Sequence, residues 1–281
     1  PPPAPAPASA SALAPLATAD RFDEAAAFAL LREQVLRYGW RPAGSAALRR
    51  LAVRLRALMP RGRLESIPGH PALRNVVGRV PGRKPAIVVG AHYDVEAEPK
   101  GFVGANDGAA GTAAVVTLAR AFARLERPRG ARELRFVLFD GEEEPAGCEP
   151  FEECGLRGSR AYAERHDGEV GDLVLLDYVA ERNGMSIARE LNSDAGLWAG
   201  LRSAADDVGV GSVFPAATAG GAIIDDHVPF VERGVRAIDI IDFDYPQRDS
   251  LEDDLDAVAR RSLNAVGEAV HLLVARLRRS G

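Results

Sequence analysis

The sequence predicts one α/β domain built on an open, mostly parallel, twisted sheet with helices on both faces. Short, continuously apolar runs recur along the chain, each suited to a strand buried on both sides. Segments of helical periodicity fall between them, the alternation expected of parallel strands joined by crossover helices. A length of 281 residues, with 47% apolar and 27% charged content, is enough for one large core of ordinary globular composition.

In chain order, Pro1 to Ala19 is almost entirely Pro, Ala, Ser and Leu. It cannot bury enough to offset its ordering entropy, so residues 1–19 are expected to be a disordered linker ahead of a catalytic domain at 20–281. A Pro/Ala tether with no starting methionine is what a processed secreted, periplasmic or lipid-anchored protein shows, although a trimmed chain looks the same. Next, Asp20 or Asp23 caps a helix through Leu30, Leu31, Val35 and Leu36. Ser45 caps a second through Leu48, Leu51, Val53, Leu55 and Leu58, which Pro60 and Gly62 stop. Asn75 to Val80 reads as a hairpin-like stretch turning at Pro81-Gly82.

Four apolar runs then read as buried strands: Ala86–Val89, Leu134–Phe139, Leu173–Leu176 and Ala237–Ile241. Helices fit over Thr112–Leu125, Ser159–Arg165, Ser193–Val208 and Ala259–Leu277. A formal charge of −5 with scattered basic residues argues against a nucleic-acid surface, and no stretch approaches a membrane span. Cys148 and Cys154 flank a short Glu-rich loop; a local disulfide and two free thiols both fit that spacing. They lack the further cysteines a thiolate zinc site needs.

Chemistry gathers where the strands end. After Val89 come His92 and Asp94; after Phe139 come Asp140, Glu142, Glu143 and Glu144. Asp177 follows Leu176, and Asp242, Asp244 and Asp249 follow Ile241. Ligands of open α/β sheets sit outside the carboxyl ends of the strands, so these side chains share one edge. So many carboxylates repel one another unless a cation lies between them, and a divalent metal held by His, Asp and Glu resolves the conflict. The glycines around Asp107, from Gly101 to Gly111, permit close backbone approach but lack the spacing of a P-loop.

Five segments resemble successive signatures of the zinc aminopeptidase and glutaminyl cyclase superfamily, in the family's order: Gly90-Ala91-His92-Tyr93-Asp94, Gly104 to Gly111, Phe139-Asp140-Gly141-Glu142-Glu143, Gly155 to Arg160, and Asp225-Asp226-His227-Val228-Pro229-Phe230. The chain resembles that superfamily from about Arg21 to its C-terminus. The resemblance implies a zinc exopeptidase-like fold, one or two zinc ions, and peptide or protein N-termini as substrate. It makes Asp107 the central metal ligand and Glu143 a ligand of the catalytic metal. His92 and Asp177 would hold a second metal in an aminopeptidase, or serve as hydrogen-bonding neighbours in a single-zinc cyclase. Glu142 becomes the general acid/base, free to move a proton beside a neighbour that the metal neutralises. Asp225 resembles the pocket acid that steadies substrate in the cyclases. His227 is expected to be structural; His70, His166 and His271 surface or packing residues; and Trp198 part of the core.

Asp140-Gly141, the insertion between Glu144 and Gly155, and the doubled Asp225-Asp226 resemble the cyclases more closely. Cyclisation of N-terminal glutamine is therefore the first reading, a zinc aminopeptidase the second, and a binding module without chemistry the third. The third stays open because of one departure. Where the family reads aromatic-His-Thr and, two residues later, Asp, this chain reads Tyr245-Pro246-Gln247-Arg248-Asp249-Ser250-Leu251-Glu252-Asp253. Asp249 falls where the third ligand, a histidine, is expected, and is taken to bind the metal in its place. The competing reading is that this position is lost, leaving His92, Asp107 and Asp177, or no activity.

Overall fold

In the computed structural model, residues 13–148 and 150–279 are described. Residues 1–12 of the expected linker lie outside that range. Residues 13–19 form no helix or strand, but Ala14 is buried and the Thr18 amide donates to the Val208 carbonyl at 2.9 Å, so packing begins ahead of residue 20. Helix α1 (Glu24–Glu33) starts at Asp23, whose carboxylate accepts from the Ala26 amide at 2.9 Å. It runs into a π-helical turn, Gln34–Tyr38, closed by Gly39 at φ +57°. Helix α2 (Ala46–Leu58) is capped by the Ser45 hydroxyl, which accepts from Leu48 at 3.1 Å, and it buries Leu48, Leu51 and Leu55 on one side.

Among the described residues, six strands form one sheet in the order β1-β2-β4-β3-β5-β6. Their ranges are β1 Arg63–Ile67, β2 His70–Val80, β3 Arg83–His92, β4 Arg132–Phe139, β5 Val170–Asp177 and β6 Arg236–Ile241. The last four are parallel to one another, and β1 and β2 add an antiparallel edge. The apolar runs of the sequence therefore lie within these four parallel strands. The hairpin expected at Pro81-Gly82 is corrected: β2 pairs with β1 through the Pro68-Gly69 turn on one side and with β4 on the other, never with β3. Pro81-Gly82 instead carries the chain across the start of β4. A Cβ on Gly82 would lie 2.2 Å from the Arg132 backbone, so only glycine permits that crossing. A turn signal does not say which later strand will fill the gap it leaves.

One sheet face is covered by α1, α2, α3 (Ala109–Arg124), α6 (Ala195–Asp207) and α8 (Arg260–Arg279), which share the main core. The other carries α5 (Arg157–Arg165) and the short α7 (Val228–Val231), with Tyr162 and Phe230 packed on Val88, Val137 and Phe139. A one-turn helix, α4 (Phe151–Cys154), lies in the insertion after β4. Helix α3 rests directly on β5: a Cβ on Gly111 would come 2.3 Å from the Leu176 carbonyl oxygen. That contact sets the start of α3, and Asp107 just ahead of it, over the strand ends.

At the opposite edge, β4 opens with charged residues that are buried. Arg132 pairs with Asp172 of β5, and Arg135 bridges Glu133 and Glu169. Removing one member of a buried pair leaves the other unsolvated, at a cost of about 3–5 kcal/mol. Asp172→Ala should lower unfolding stability by that amount in urea titrations. A loss below about 1 kcal/mol would mean that water already reaches Arg132.

Candidate metal centre

The site is built from the carboxyl ends of β3, β4 and β5 and the loops that follow them. His92 is the last residue of β3 and Asp177 the last of β5. Backbone amides hold the loops in place. Asp94 accepts from the amides of Glu142 and Glu143, both at 3.3 Å, which ties the loop after β4 to the loop after β3. Asp253 accepts from the amides of Asn106 at 2.9 Å and Asp107 at 3.0 Å, and Tyr245 donates to it at 2.8 Å. Arg41, fully buried, donates to the carbonyls of Tyr93, Val103 and Gly104. Burial lowers its pKa to about 10, opposed by the nearby charges of Asp107, Asp94 and Asp253. The glycine run has the same purpose. A Cβ on Gly108, at φ +78°, would stand 2.6 Å from the Asp94 carbonyl and 3.2 Å from the His92 ring.

His92 Nε2 lies 3.1 Å from Asp107 Oδ1 and 3.3 Å from Asp177 Oδ1. His92 also forms a group with Glu142 and Glu143, and in each group the donor atoms lie within 4.8 Å of one another. Its Nδ1, 3.8 Å from Glu142 Oε2 and 3.9 Å from Asp94 Oδ1, has no hydrogen-bond partner among the described residues. Tyr178 donates to Asp107 Oδ2 at 2.8 Å and stands 3.3 Å from Asp249 Oδ1. Asp225 is buried, with Oδ1 accepting from the Asp226 amide and Oδ2 unpartnered among the described residues. A cavity of about 300 Å³ opens over these groups. Its floor is acidic, with Asp107, Glu142, Glu143, Asp177 and Asp225, and its walls include Phe151, Ile223, Ile224 and Phe243.

Negative charge here is uncompensated. Burial, partly opposed by His92, pushes Asp177 up to about 7. Burial holds Glu142 well above the carboxylate range, with His92 opposing it and Asp225 and Asp226 reinforcing it; Glu143 is raised by burial, Asp107 and Glu142. Glu96 on the rim rises to about 8, through burial and the charges of Asp107 and Asp249. Burial disfavours a charged His92, yet its bonds to Asp107 and Asp177 hold its pKa well above that of a free imidazole. Carboxyls that retain protons beside an imidazole with an unpartnered nitrogen are the surroundings a divalent cation would relieve. The donors, one imidazole nitrogen and carboxylate oxygens, suit zinc and related ions. His92, Asp107 and Asp177 fit such an ion.

His92, Asp107, Glu142, Glu143, Asp177, Asp225 and Asp249 are thus all gathered in one place. Asp249 sits at the rim, with half its side chain exposed and Oδ2 3.1 Å from Arg248 Nε, and it enters no three-donor group among the described residues. His227 is buried, with Nε2 3.5 Å from Glu190 Oε1 and Nδ1 3.8 Å from Asp239 Oδ2, and it forms a third candidate group with Asp225 and Asp239. Trp198 lies in the core against Phe214. His166 bonds Glu65 and Glu169. Cys148 and Cys154 form a disulfide that closes the insertion around Phe151. Sequence reasoning did not single out Arg41 or Tyr178, whose roles depend on contacts between loops far apart in the chain. Asp94 and Asp253 carried a signal, each as the last residue of its motif.

The peptidase family M28 profile matches residues 75–274, from β2 into α8, and so spans every strand end that carries the site. The crystal structure of a glutaminyl cyclase from an Acidobacteriales bacterium superposes with a TM-score of 0.79 at 26% identity, covering 99% of both chains. A glutaminyl-peptide cyclotransferase of Boiga irregularis is 26% identical over 73% of this chain and 66% of its own length. An aminopeptidase of Bacillus subtilis is 29% identical over 66% of this chain and 39% of its own. The chain therefore spans less than two thirds of the length of these curated relatives. With the motifs in order, the fold shared end to end and the acidic strand ends inside the matched range, the chain belongs to peptidase family M28.

Proposed function

We propose that the chain is a zinc-dependent glutaminyl-peptide cyclotransferase, converting N-terminal glutamine to pyroglutamate with loss of ammonia. The observation that carries this reading is the placement of Glu142: buried, 3.8 Å from His92, beside Glu143, and on the floor of the cavity with Asp225. Bound zinc would supply the positive charge that polarises the γ-carbonyl of the substrate. His92, Asp107 and Asp177 would hold it, with Glu143 as a further carboxylate donor, so that His92 and Asp177 act as ligands rather than as the hydrogen-bonding neighbours that the resemblance implies for a single-zinc cyclase. The substrate's own α-amine attacks the γ-carbon, a C–N bond forms, and the bond to the amide nitrogen breaks. Glu142 takes the proton from the amine and returns it to the departing nitrogen, the role of a general acid/base positioned beside a metal-bound neighbour. The free Oδ2 of Asp225 would accept a hydrogen bond from the substrate amide or amine. The likeness to cyclases over the whole chain supports this reading.

An aminopeptidase is the second reading, supported by the likeness to the Bacillus subtilis enzyme and by the overlap of two donor groups at His92. In that case Glu142 would deprotonate water rather than the substrate amine. We further propose that the protein works outside the cytoplasm. The Cys148–Cys154 disulfide supports this, as such bonds persist in oxidising compartments. No described helix is long and apolar enough to cross a membrane.

Three outcomes are expected. Mass spectrometry of a Gln-peptide incubated with zinc-loaded protein should show the loss of one ammonia with every peptide bond intact. Free leucine released from Leu-peptides without that loss would move the assignment to aminopeptidase. Glu142→Gln should reduce turnover by about 10²- to 10⁴-fold while zinc content stays at the wild-type level; activity within a few-fold of wild type would remove Glu142 from its role. Asp249 is proposed as an auxiliary donor reaching the metal from the solvent side. Because His92, Asp107 and Asp177 form a group without it, Asp249→Ala should weaken zinc affinity about 10- to 100-fold, whereas Asp107→Ala should abolish binding. Undiminished affinity would make Asp249 a bystander.

A further inference from the structure

A second cavity, of about 650 Å³, opens where the start of α1 meets the ends of α3 and α8. It is remote from the metal centre. Helix α3 is 16 residues long, about 24 Å at ~1.5 Å per residue; it begins just after Asp107, and its last turns line this cavity. The size falls within the range of sites that hold small organic molecules.

The lining is cationic. Arg21 comes from the segment before α1, Arg120 and Arg124 from α3, and Arg276 and Arg279 from α8. Arg276 is engaged by Asp207. Among the described residues, the side chains of Arg21, Arg120, Arg124 and Arg279 form no ion pair or hydrogen bond. The acids present are Asp20 and Asp23, and the Asp23 carboxylate is already bonded to the Ala26 amide as the cap of α1. Helix dipoles favour bases in the last turns of α3 and α8. They give no reason for Arg21, nor for what lies among these charges.

That residue is His271, only 4% exposed, stacked on Phe122 at 4.6 Å, with no hydrogen-bond partner for Nδ1 among the described residues. Burial and the charge of Arg21 depress its pKa to about 4, so the imidazole is neutral near pH 7. Leu125, Leu272 and Ala275 add apolar surface. We propose that this cavity binds a small amphiphilic anion. Its phosphate or carboxylate head would be held by Arg120, Arg124 and their neighbouring arginines, and its apolar body would lie against Leu125 and Leu272. Guanidinium groups suit that head because their planar N–H forks match phosphate and carboxylate oxygens.

The probes are decyl phosphate below its micellar concentration, inorganic phosphate, and phosphatidylcholine vesicles containing phosphatidylglycerol, each titrated calorimetrically into the full chain. Decyl phosphate should bind saturably, at least tenfold tighter than inorganic phosphate and more weakly as salt rises. Arg120→Ala combined with Arg124→Ala should weaken that binding at least tenfold without changing metal content or activity. If the double variant fails to fold, Arg124→Gln, a change at an exposed position, should still weaken it. In the saturated protein the NMR titration of His271 should move to higher pH, because a bound anion favours the imidazolium. Vesicle binding that is lost in the variant identifies a lipid headgroup as the source; decyl phosphate binding without vesicle binding identifies a soluble anion. The proposal is overturned by absent or non-saturable decyl phosphate binding, by equal affinity for inorganic phosphate, or by binding that survives both arginine substitutions.

Discussion

Mutual repulsion among buried carboxylates governs the working edge of this protein. Asp94, Asp107, Glu142, Glu143, Asp177 and Asp225 are all buried within the same few loops, and the charges of several of them act on His92 and on the buried Arg41. Acids that close together, without water, take up protons or a cation. A chain with no use for a cation would gain stability by replacing them with apolar side chains, so their retention argues for chemistry at this edge.

Holding those acids in place needs donors that do not neutralise them, and the backbone supplies most of these. Asp94 is spent on the amides of Glu142 and Glu143, and Asp253 on those of Asn106 and Asp107. Each anchoring acid fixes the loop that carries a reacting acid, and thereby sets its position to within a hydrogen bond. Arg41 does the reverse, using a buried cation to gather four carbonyls, those of Gly39, Tyr93, Val103 and Gly104. Gly108 and Gly111 allow the loop and helix to approach β3 and β5 without a side chain between them. The geometry at His92 thus depends on contacts that a change well outside the cavity can disturb.

This division explains what could be read from the chain. The four parallel strands were legible because continuous apolar runs such as Ala86–Val89 and Leu173–Leu176 have few alternatives to burial on both faces. Their terminal acids were legible because they follow those runs directly. The pairing of β2 was not, since Pro81-Gly82 is a valid turn whichever strand lies beyond it, and β1 is too short and too charged to announce itself. Tyr178 and Arg41 carry no motif; their value arises only when Asp107 and the carbonyls of residues 103 and 104 are brought to them. Local signals survive in sequence, whereas contacts between distant loops do not.

Asp249 shows how far local physics constrains the departure from the family pattern. Its φ of +56° lies in the left-handed region, which aspartate, asparagine and histidine tolerate better than branched or bulky residues. The backbone therefore limits what can replace histidine here, and aspartate is among the few that fit. An added negative charge beside Asp107 and Glu96 would be costly alone. It arrives with Arg248, whose Nε lies 3.1 Å from Asp249 and whose guanidinium stacks 4.0 Å over Phe243. The pair at positions 248 and 249 thus brings its own counter-charge to the rim, while Tyr178 links Asp249 to Asp107 by a hydroxyl within reach of both. The charge of Asp249 is thus compensated locally, as its proposed role as an auxiliary donor requires.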